Sequence, residues 1–552
     1  MSISLIKIMI KQILRFRWLL IFVLLLLTFP FGYKIQDLTK DAGVSSLVPE
    51  DHPAYKTSNR VEKLFGATDQ IVIGVNAPKG IYSVEAMNLI NELTEFLEDQ
   101  DDLDADDVIS LTNVTDMKGE EGELIIEDLV GKGFFKEPTE EALNLIKEKV
   151  RSNPLFNGKL VSLDEKSAVV LAGVPTDVGL KEELIGGLKE DVLQKIEQLR
   201  NKYPGITLDF SGPAMLKAYI SEYMQQDLKT LFPLAIVVVA LIILIVLRSI
   251  SGTLVPIMVT LFAVTWTFGL KAILSSPITI VETAIPVVLI AIGCADGIHI
   301  ISEFLVLRRN GHSPEEATEK TMKLLTLPVV LTSVTTGLGF LSLLSAPGVS
   351  IRNMGVFLAF GVFIAMIYSL YFIPSIMSFF KGKNPVNRPQ VSDSGISGRH
   401  GAFESRVSTI ASKVIKYRVF VVSTALAVFA LSVLGILNIT VESDEVRYLK
   451  PGNEFRMATE SIQKNLGGIT SLDIIVETEK KNGIKQPALL SRIEGLQRFC
   501  EEFELVSYSL SIVDLIKRIN FVLHESNPQY DRLPRETEVI KRVRYQKTDG
   551  KE

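Results

Sequence analysis

Residues 282–303 read ETAIPVVLIAIGCADGIHIISE, an apolar stretch interrupted by ionisable side chains. About 20 residues of α-helix cross the roughly 30 Å hydrocarbon core of a bilayer, so this stretch is long enough to span a membrane. Asp296 follows Glu282 after 13 uncharged residues and would lie near membrane depth. Because ionisable groups there are costly and usually face a bundle interior or a water-filled path, the stretch predicts a functional membrane helix.

Further apolar runs indicate a polytopic α-helical membrane protein with about seven transmembrane helices. Hydrophobic residues make up 47% of the 552-residue chain and charged residues 22%, so membrane and aqueous parts must be segregated along the sequence. The predicted spans are 18–33, 230–247, 249–270, 277–304, 324–345, 353–380 and 419–441.

The basic residues predict how these spans are oriented. On one side lie Lys7, Lys11, Arg15, Arg17, Arg248, Arg308, Arg309, Lys320, Lys323, Lys381, Lys383, Arg388, Arg399, Arg406, Lys413, Lys416 and Arg418. The opposite short loops hold only Lys271 and Arg352. By the positive-inside rule the N-terminus is expected in the cytoplasm, with residues 34–229 and 442–552 outside.

The sequence therefore divides into seven segments. They are a cytoplasmic interfacial helix at 1–17, a transmembrane helix at 18–36, an extracytoplasmic α+β domain at 37–228, a five-helix transmembrane bundle at 229–380, a flexible cytoplasmic linker at 381–418, a transmembrane helix at 419–441, and a truncated second extracytoplasmic domain at 442–552.

Strand and helix patterns alternate in the first extracytoplasmic domain, which predicts α+β subdomains. Strands are expected at 70–75, 108–114, 168–174 and 206–210, and helices at 84–97, with Ser83 as N-cap, and at 180–199. In the cytoplasmic loop, Ser313 and Glu316 form a capping box with Pro314 at the first helical position, which predicts a short helix there.

Composition argues against several classes of function. A net charge of -6 is unlike that of a nucleic-acid-binding protein. Two cysteines and five histidines form no metal-ligand cluster, and neither a nucleophile–base set nor a phosphate loop is present, so we expect no cofactor, no metal and no enzyme activity. Asp102, Asp104 and Asp106 have calcium-loop spacing, but Asp107 and Asn113 replace the expected Gly and Glu, which favours a solvated loop.

The chain repeats itself at an offset near 400 residues. The motif LVP at 47–49 matches LKP at 449–451, FG at 65–66 matches LG at 466–467, IVI at 71–73 matches IIV at 474–476, and VIS at 108–110 with Asp116 matches VSY at 506–508 with Asp514. Two copies of a span–domain–five-span unit would make a pseudosymmetric transporter. The second copy here stops early, so residues 442–552 are expected to be poorly ordered alone.

Ionisable residues of the 282–303 stretch share one helical face. At 100° per residue that face holds Glu282, Leu289, Gly293, Asp296, His299 and Glu303. Asp296 could carry a proton with help from His299, or could make a structural hydrogen bond to a neighbouring helix. His299 and Glu282 could equally lie at the membrane interface.

Small and polar residues in the fifth span could satisfy Asp296. They are Thr332, Ser333, Thr335 and Thr336, with Gly337 and Gly339. Ordinary close packing of helices explains them equally well.

These motifs resemble the resistance–nodulation–division (RND) superfamily, in the branch of exporters related to the mycobacterial membrane protein large (MMPL) transporters. The motif IGCADGIH at 292–299 is similar to that branch's fourth-span motif, TTGLGF at 335–340 to its fifth-span motif, and GHSPEEA at 311–317 and LVPED at 47–51 to its loop motifs. Spans two to six also resemble the sterol-sensing domain. Gly297 departs from the family, which usually has an aromatic or acidic residue beside the Asp.

The resemblance implies porter-like, ferredoxin-like domains and proton-driven export of hydrophobic or amphiphilic molecules, often lipids, across a bacterial inner membrane. It implies that Asp296 is the proton-carrying residue. Since the family pairs this span with its equivalent in the second half, the resemblance also implies that the chain is a fragment, the product of a split or frame-shifted gene, or a protein that needs a partner chain. The alternative is a non-transporting lipid- or sterol-sensing membrane protein, or an inactive remnant.

Overall fold

The computed structural model describes most of the chain. The described residues are 3–43, 48–49, 51–65, 69–120, 123–131, 133–175, 182–380, 409–439, 444–467, 472–478 and 480–534. The predicted linker at 381–418 lies for most of its length outside these residues.

Sixteen helices carry most of the described structure. They are α1 Ile3–Arg15, α2 Arg17–Lys34, α3 Pro53–Phe65, α4 Val84–Glu98, α5 Glu140–Ser152, α6 Glu182–Lys202, α7 Pro213–Gln226, α8 Phe232–Leu247, α9 Ile250–Ile273, α10 Ile285–Arg309, α11 Pro314–Leu341, α12 Val349–Met377, α13 Arg418–Ile436, α14 Glu454–Leu466, α15 Pro487–Glu501 and α16 Ile512–Leu523. Eight short strands are β1 Lys40–Asp41, β2 Asp69–Asn76, β3 Val108–Ile109, β4 Thr115–Glu120, β5 Glu123–Asp128, β6 Ser167–Val174, β7 Thr207–Ser211 and β8 Ile278–Thr279.

Seven helical segments in the described part of the chain are long and apolar enough to cross a membrane, which confirms a polytopic helical membrane protein with α+β elements. They contain α2, α8, α9, α10, α11, α12 and α13. The short helix predicted after Ser313 is not separate. The capping box starts it at Pro314, and the same helix continues past Pro328 and through the fifth span to Leu341.

The helices α9, α10 and α12 form the centre of the bundle, since they carry most of its buried side chains. The helix α2 packs against α9 and α12, where Trp266 donates hydrogen bonds of 3.1 Å to Thr28 Oγ1 and Tyr368 Oη. By contrast, α13 has no buried residue, so its apolar side chains are not covered by the rest of the described structure.

The αβ domain is built on a four-stranded antiparallel sheet in the order β3–β6–β2–β7. The register places Ile71 opposite Ala172 and Ile73 opposite Phe210. Helix α4 covers the sheet with a buried apolar face, and its N-cap is Ser83, whose Oγ accepts from Ala86 N. Three of the four predicted strands are therefore confirmed to within about one residue at each end.

The predicted strand at 108–114 is wrong beyond Ile109. Ser110 N donates to Asn113 Oδ1 at 2.8 Å, and Thr112 N donates to Ser110 Oγ at 3.1 Å. These short polar side chains compete with a strand ladder for the backbone donors and form a turn instead. The following hairpin of β4 and β5, with Thr115 opposite Asp128, was not predicted.

A continuous helical segment joins the αβ domain to the membrane bundle. It begins with α7, passes through a π-helical turn at Asp227–Leu231, and continues as α8 to Leu247. Gly212 makes its start possible, because its φ is 107° and a Cβ there would clash with Gln70 O. The sharp turn therefore requires a residue without a side chain.

The described part of residues 442–552 packs against the αβ domain. Phe455 of α14 lies 5.3 Å from Tyr219, measured between ring centroids, and Thr459 Oγ1 lies 2.8 Å from Ser211 Oγ. Helix α16 lies on β4 so closely that a Cβ at Gly119 would clash with Val522 O. The first domain therefore supplies the surfaces against which these two helices pack, and the poor order expected of residues 442–552 alone stays a prediction.

Candidate functional site

Asp296 lies on α10 and faces α11. Its carboxylate accepts hydrogen bonds from Ser333 Oγ at 3.1 Å and from Thr332 Oγ1 at 3.3 Å. The Asp296 side chain is half-buried, whereas Ser333 is buried and Thr332 is exposed. A half-buried carboxyl group in an apolar bundle thus has two hydroxyl partners on the neighbouring helix.

The two hydroxyls can serve both protonation states of the carboxyl group. A Ser or Thr hydroxyl donates to a carboxylate, and after rotation it accepts from a protonated acid. Thr332 Oγ1 also lies 3.0 Å from Pro328 O, so its single proton has an alternative acceptor on its own helix. Both hydroxyls can therefore keep a hydrogen-bond partner whether Asp296 is protonated or ionised.

Two other hydroxyls predicted near Asp296 do not contact it in the described structure. Thr335 donates to Leu331 O at 2.9 Å within its own helix. Thr336 is half-buried one residue further along the same helix. The spacing within α11 explains this, because Thr332 and Ser333 lie one turn nearer to Asp296 along the α10–α11 contact.

The glycines of the site divide into two groups. Gly293 and Gly297 pack α10 closely against α9, since a Cβ at Gly297 would lie 2.9 Å from Pro256 Cβ and one at Gly293 would lie 3.4 Å from Thr260 Oγ1. Around Gly337 and Gly339 no described atom lies within 4 Å of where a Cβ would be. The expectation that these two glycines form a closely packing surface inside the bundle is therefore wrong.

His299 and Glu303 continue the face of Asp296 along α10. His299 is exposed and Glu303 is half-buried, one and two turns beyond Asp296. The ionisable residues thus extend from the half-buried carboxyl group towards the basic end of α10 at Arg308 and Arg309. A proton leaving Asp296 in that direction would meet titratable groups on an accessible surface.

Glu282 has a different environment from the one predicted. It is fully buried, and its Oε1 accepts from Lys271 Nζ at 2.9 Å, while its Oε2 accepts from Thr279 N at 2.9 Å. Lys271 is also fully buried and lies 4.2 Å from the centroid of the Phe357 ring. Glu282 is therefore the partner of a buried cation, which holds its carboxylate in place.

The pairing of Lys271 with Glu282 was not predicted from the sequence, because the two residues lie on different helical elements. Lys271 was placed in a loop, whereas it lies within α9. Glu282 lies on a 3₁₀ turn that precedes α10, so it does not continue the regular helical face of Asp296. The sequence signal was the opposite charges near the adjoining ends of two spans.

The described residues contain no group of three or more His, Cys, Asp or Glu that could hold a metal ion. In the predicted solvated loop, Asp104 caps a 3₁₀ turn by accepting from Asp106 N. The side chains that donate to Asp296 are hydroxyls, and a carboxyl group with such partners can bind and release a proton.

Comparison with known proteins relates the chain to a family of membrane proteins. A protein of Methanocaldococcus jannaschii, named only as a membrane protein, is 23% identical over 368 residues, which are 65% of this chain and 90% of the relative. A Streptomyces coelicolor protein with the same kind of name is 21% identical over 290 residues, which are 51% of this chain and 40% of the relative. The MMPL family profile matches residues 46–406, more than half of the sequence. The chain therefore belongs to the MMPL family.

Proposed function

We propose that the chain is a proton-coupled RND-type exporter of hydrophobic or amphiphilic molecules, with lipids as the substrate class. It acts in a bacterial inner membrane with its N-terminus in the cytoplasm. Membership of the MMPL family and the seven candidate spans support this proposal at the level of the whole protein.

The pairing of Asp296 with Ser333 and Thr332 supports proton coupling most directly. In the proposed cycle, the Asp296 carboxylate takes up one proton from the outer side and becomes neutral. It later releases that proton towards the cytoplasm and regains its charge. His299 assists at the cytoplasmic end of the path. The change of charge in a low-dielectric site provides the energy difference between two bundle conformations.

The distribution of basic residues supports the orientation. The loops with most Lys and Arg lie at the end of α10 that carries Arg308 and Arg309. The αβ domain is attached to the opposite ends of α2 and α8 and would lie outside. Open apolar surfaces on α8, α11 and α13 are consistent with lipid contact and with a substrate that enters from the bilayer.

The test is proton-driven efflux in vesicles containing the purified chain, using a fluorescent lipid analogue. Asp296→Asn keeps the size of the side chain and much of its hydrogen bonding but cannot release a proton. We expect efflux to fall to the background of empty vesicles, while expression and membrane insertion stay unchanged.

Asp37→Asn is the matched control, because Asp37 is a carboxylate near the end of α2 whose partner Lys34 is half-exposed. It should leave efflux unchanged. Wild-type efflux by Asp296→Asn would remove Asp296 from the mechanism. Efflux that is insensitive to the proton gradient in the wild type would reject proton coupling altogether.

A further inference from the structure

The helices α9 and α10 meet in a regular antiparallel register. Three contacts follow one another at steps of four residues on each helix, and in each of them a glycine of one helix admits a residue of the other. The pairs are Thr260 with Gly293, Pro256 with Gly297, and Gly252 with Ile301. All six residues are buried. The two backbones are therefore close along this stretch, as is usual where small residues line a contact between membrane helices.

The same register leads to the buried ion pair at the other end of α9. Lys271 lies 11 residues after Thr260, and Glu282 lies 11 residues before Gly293. Eleven residues are about three helical turns, so Lys271 lies on the face of α9 that makes the glycine contacts. Lys271 Nζ donates to Glu282 Oε1 at 2.9 Å, and both side chains are fully buried. From Gly252 to Lys271, α9 is thus held against the neighbouring segment over about 28 Å.

The contact of Gly297 with Pro256 is the tightest of the three glycine contacts. A Cβ at Gly297 would lie 2.9 Å from Pro256 Cβ, 3.1 Å from its Cγ and 3.2 Å from its Cα. Optimal separations between carbon atoms are about 3.5–4.0 Å, so the space is short by roughly half an ångström or more. Pro256 lies inside α9, and its ring cannot rotate away. A side chain at Gly297 would therefore move the backbone of α10 relative to α9.

Asp296 is the residue next to Gly297, and it faces a different helix. Its hydrogen bonds from Ser333 and Thr332 of α11 are 3.1 and 3.3 Å long. Hydrogen bonds between hydroxyl groups and oxygen acceptors are usually about 2.7–2.8 Å long, so a shift of roughly half an ångström decides whether these two are kept. Helix α11 is much less buried in the bundle than α9 and α10 are. The position of the Asp296 carboxyl group is therefore set from the side of α9.

We propose that Gly297 and Pro256 are positioning residues for Asp296. Their contact holds α10 at the distance from α11 at which both hydroxyls reach the carboxylate, and the pair of Lys271 with Glu282 fixes the register of that contact. Neither Gly297 nor Pro256 exchanges a proton, because they act only through the place of Asp296. This inference rests on the proposed function, in which Asp296 takes up and releases a proton.

The test is an infrared pH titration of the full-length protein in lipid nanodiscs. The C=O stretching band of protonated Asp296 is identified as the band that Asp296→Asn removes, and its intensity against pH gives the midpoint of protonation. Gly297→Ala should shift this midpoint by about one pH unit or more, because hydrogen bonds to a carboxyl group differ in strength between its ionised and protonated forms.

Gly435→Ala is the matched control, since Gly435 also lies in a membrane-spanning helix and no described atom lies within 4 Å of where its Cβ would be. It should leave the midpoint unchanged. The double variant Gly297→Ala with Pro256→Gly moves one side chain from α9 to α10 and should return the midpoint towards the wild-type value. A wild-type midpoint in Gly297→Ala, or no return in the double variant, would overturn the positioning role.

Two further variants separate positioning from a general disturbance of the bundle. Pro256→Gly alone opens the same contact from the other helix and should also shift the midpoint, so the test does not depend on recovery of folded Gly297→Ala. In a protein with Thr332→Val and Ser333→Ala, Gly297→Ala should cause no further shift, because the hydrogen bonds through which it acts are already gone. Shifts that add independently would show that Gly297 acts elsewhere and would overturn the proposal.

Proton-driven efflux by the same variants distinguishes this inference from the proposed function. A shifted midpoint with unchanged efflux would support the positioning role and count against proton coupling through Asp296. Lost efflux with an unshifted midpoint in Gly297→Ala would overturn the positioning role and leave the proposed function standing.

Discussion

Lys271 and Glu282 are a fully buried ion pair at one end of the membrane bundle. Both charges have lost their hydration, and the pair is tolerated because Ser276, Thr279 and the ring of Phe357 complete the contacts of its polar groups. A buried pair of this kind contributes little net stability compared with apolar residues of similar size, but removing one partner leaves an uncompensated charge. The pair therefore fixes the junction of α9 and α10.

Glu282→Gln should lower the free energy of unfolding by about 3–5 kcal/mol, because Lys271 would stay buried without a countercharge. The double substitution Lys271→Met with Glu282→Gln should recover most of this loss, since the amide oxygen of the new side chain could still accept from Thr279 N. Thermal unfolding of the purified protein in detergent measures both. A single variant as stable as the wild type would show that the two side chains are hydrated in the membrane.

Glu165 gives the αβ domain a pH-dependent contact. Its carboxylate accepts from Arg151 and from Lys147, the latter at 2.8 Å. Burial acts to raise the pKa of Glu165, but the hydrogen bonds from Arg151 and Lys147 outweigh it and lower the pKa below its ordinary value of 4.5. The folded state therefore binds the proton of Glu165 more weakly than the unfolded state does. At pH values above the pKa of the unfolded state, the ionised carboxylate stabilises the fold. This contribution is lost as the pH falls through the lower pKa of the folded state.

Glu165→Gln should therefore destabilise the domain at neutral pH, by less than about 1 kcal/mol because solvent screens the exposed part of the pair. The difference from wild type should vanish in acid. Urea unfolding followed by circular dichroism between about pH 7 and about pH 2 measures this, with the exposed Glu148→Gln as control. A difference that stays constant over this range would assign the effect to packing.

At the scale of elements, α16 is attached to β4 by a buried ionic contact. Arg518 Nη2 lies 3.4 Å from Asp116 Oδ1, and Asn153 Nδ2 donates to the same oxygen at 3.0 Å. Arg518 Nη1 also donates to Ser152 O at 3.1 Å, whereas its Nε is buried without a partner among the described residues. This contact joins two parts of the chain that are 402 residues apart.

Asp116→Asn should cost about 3–5 kcal/mol and release α16, because the guanidinium would stay buried next to a neutral amide. Protease resistance of residues 512–523 and the thermal midpoint of the whole chain should fall together. Asp128→Asn, an exposed carboxylate on the neighbouring strand, should change neither. Recovery by the double variant Asp116→Asn with Arg518→Met would confirm that the unpaired charge causes the loss.

The elements that the sequence predicted well are those whose pattern is local. Apolar length identifies the spans, and the polar group at Ser83 together with the helical periodicity after it identifies α4. The end of β3 and the hairpin of β4 and β5 were missed, because side-chain hydrogen bonds around Ser110 and pairing between neighbouring strands decide them. For the site, Asp296 and its partner helix could be predicted, whereas the pairing of Lys271 with Glu282 depends on how two helices end in space.

At the scale of the whole molecule, the repeat organises how the two parts of the chain beside the membrane bundle meet. Helix α14 crosses from the second repeat to cover the sheet of the first, and Arg60 of α3 forms an ion pair with Glu477 of the second. Sequence comparison within the chain revealed the repeat but could not reveal this exchange, because it depends on contacts between residues some 250 positions apart or more.

The helical segment from Pro213 to Leu247 fixes the rotational phase between the αβ domain and the second span. Tyr219 is stacked on the sheet at one end, and Ile243 and Leu247 are buried in the bundle at the other. Each residue of a helix adds about 100° of rotation and 1.5 Å of length, so one inserted or deleted residue would turn one end away from its partners. The π turn at Asp227–Leu231 is where a helix can absorb one extra residue. Side chains along this segment can vary, but its number of residues is constrained by the two surfaces that it connects.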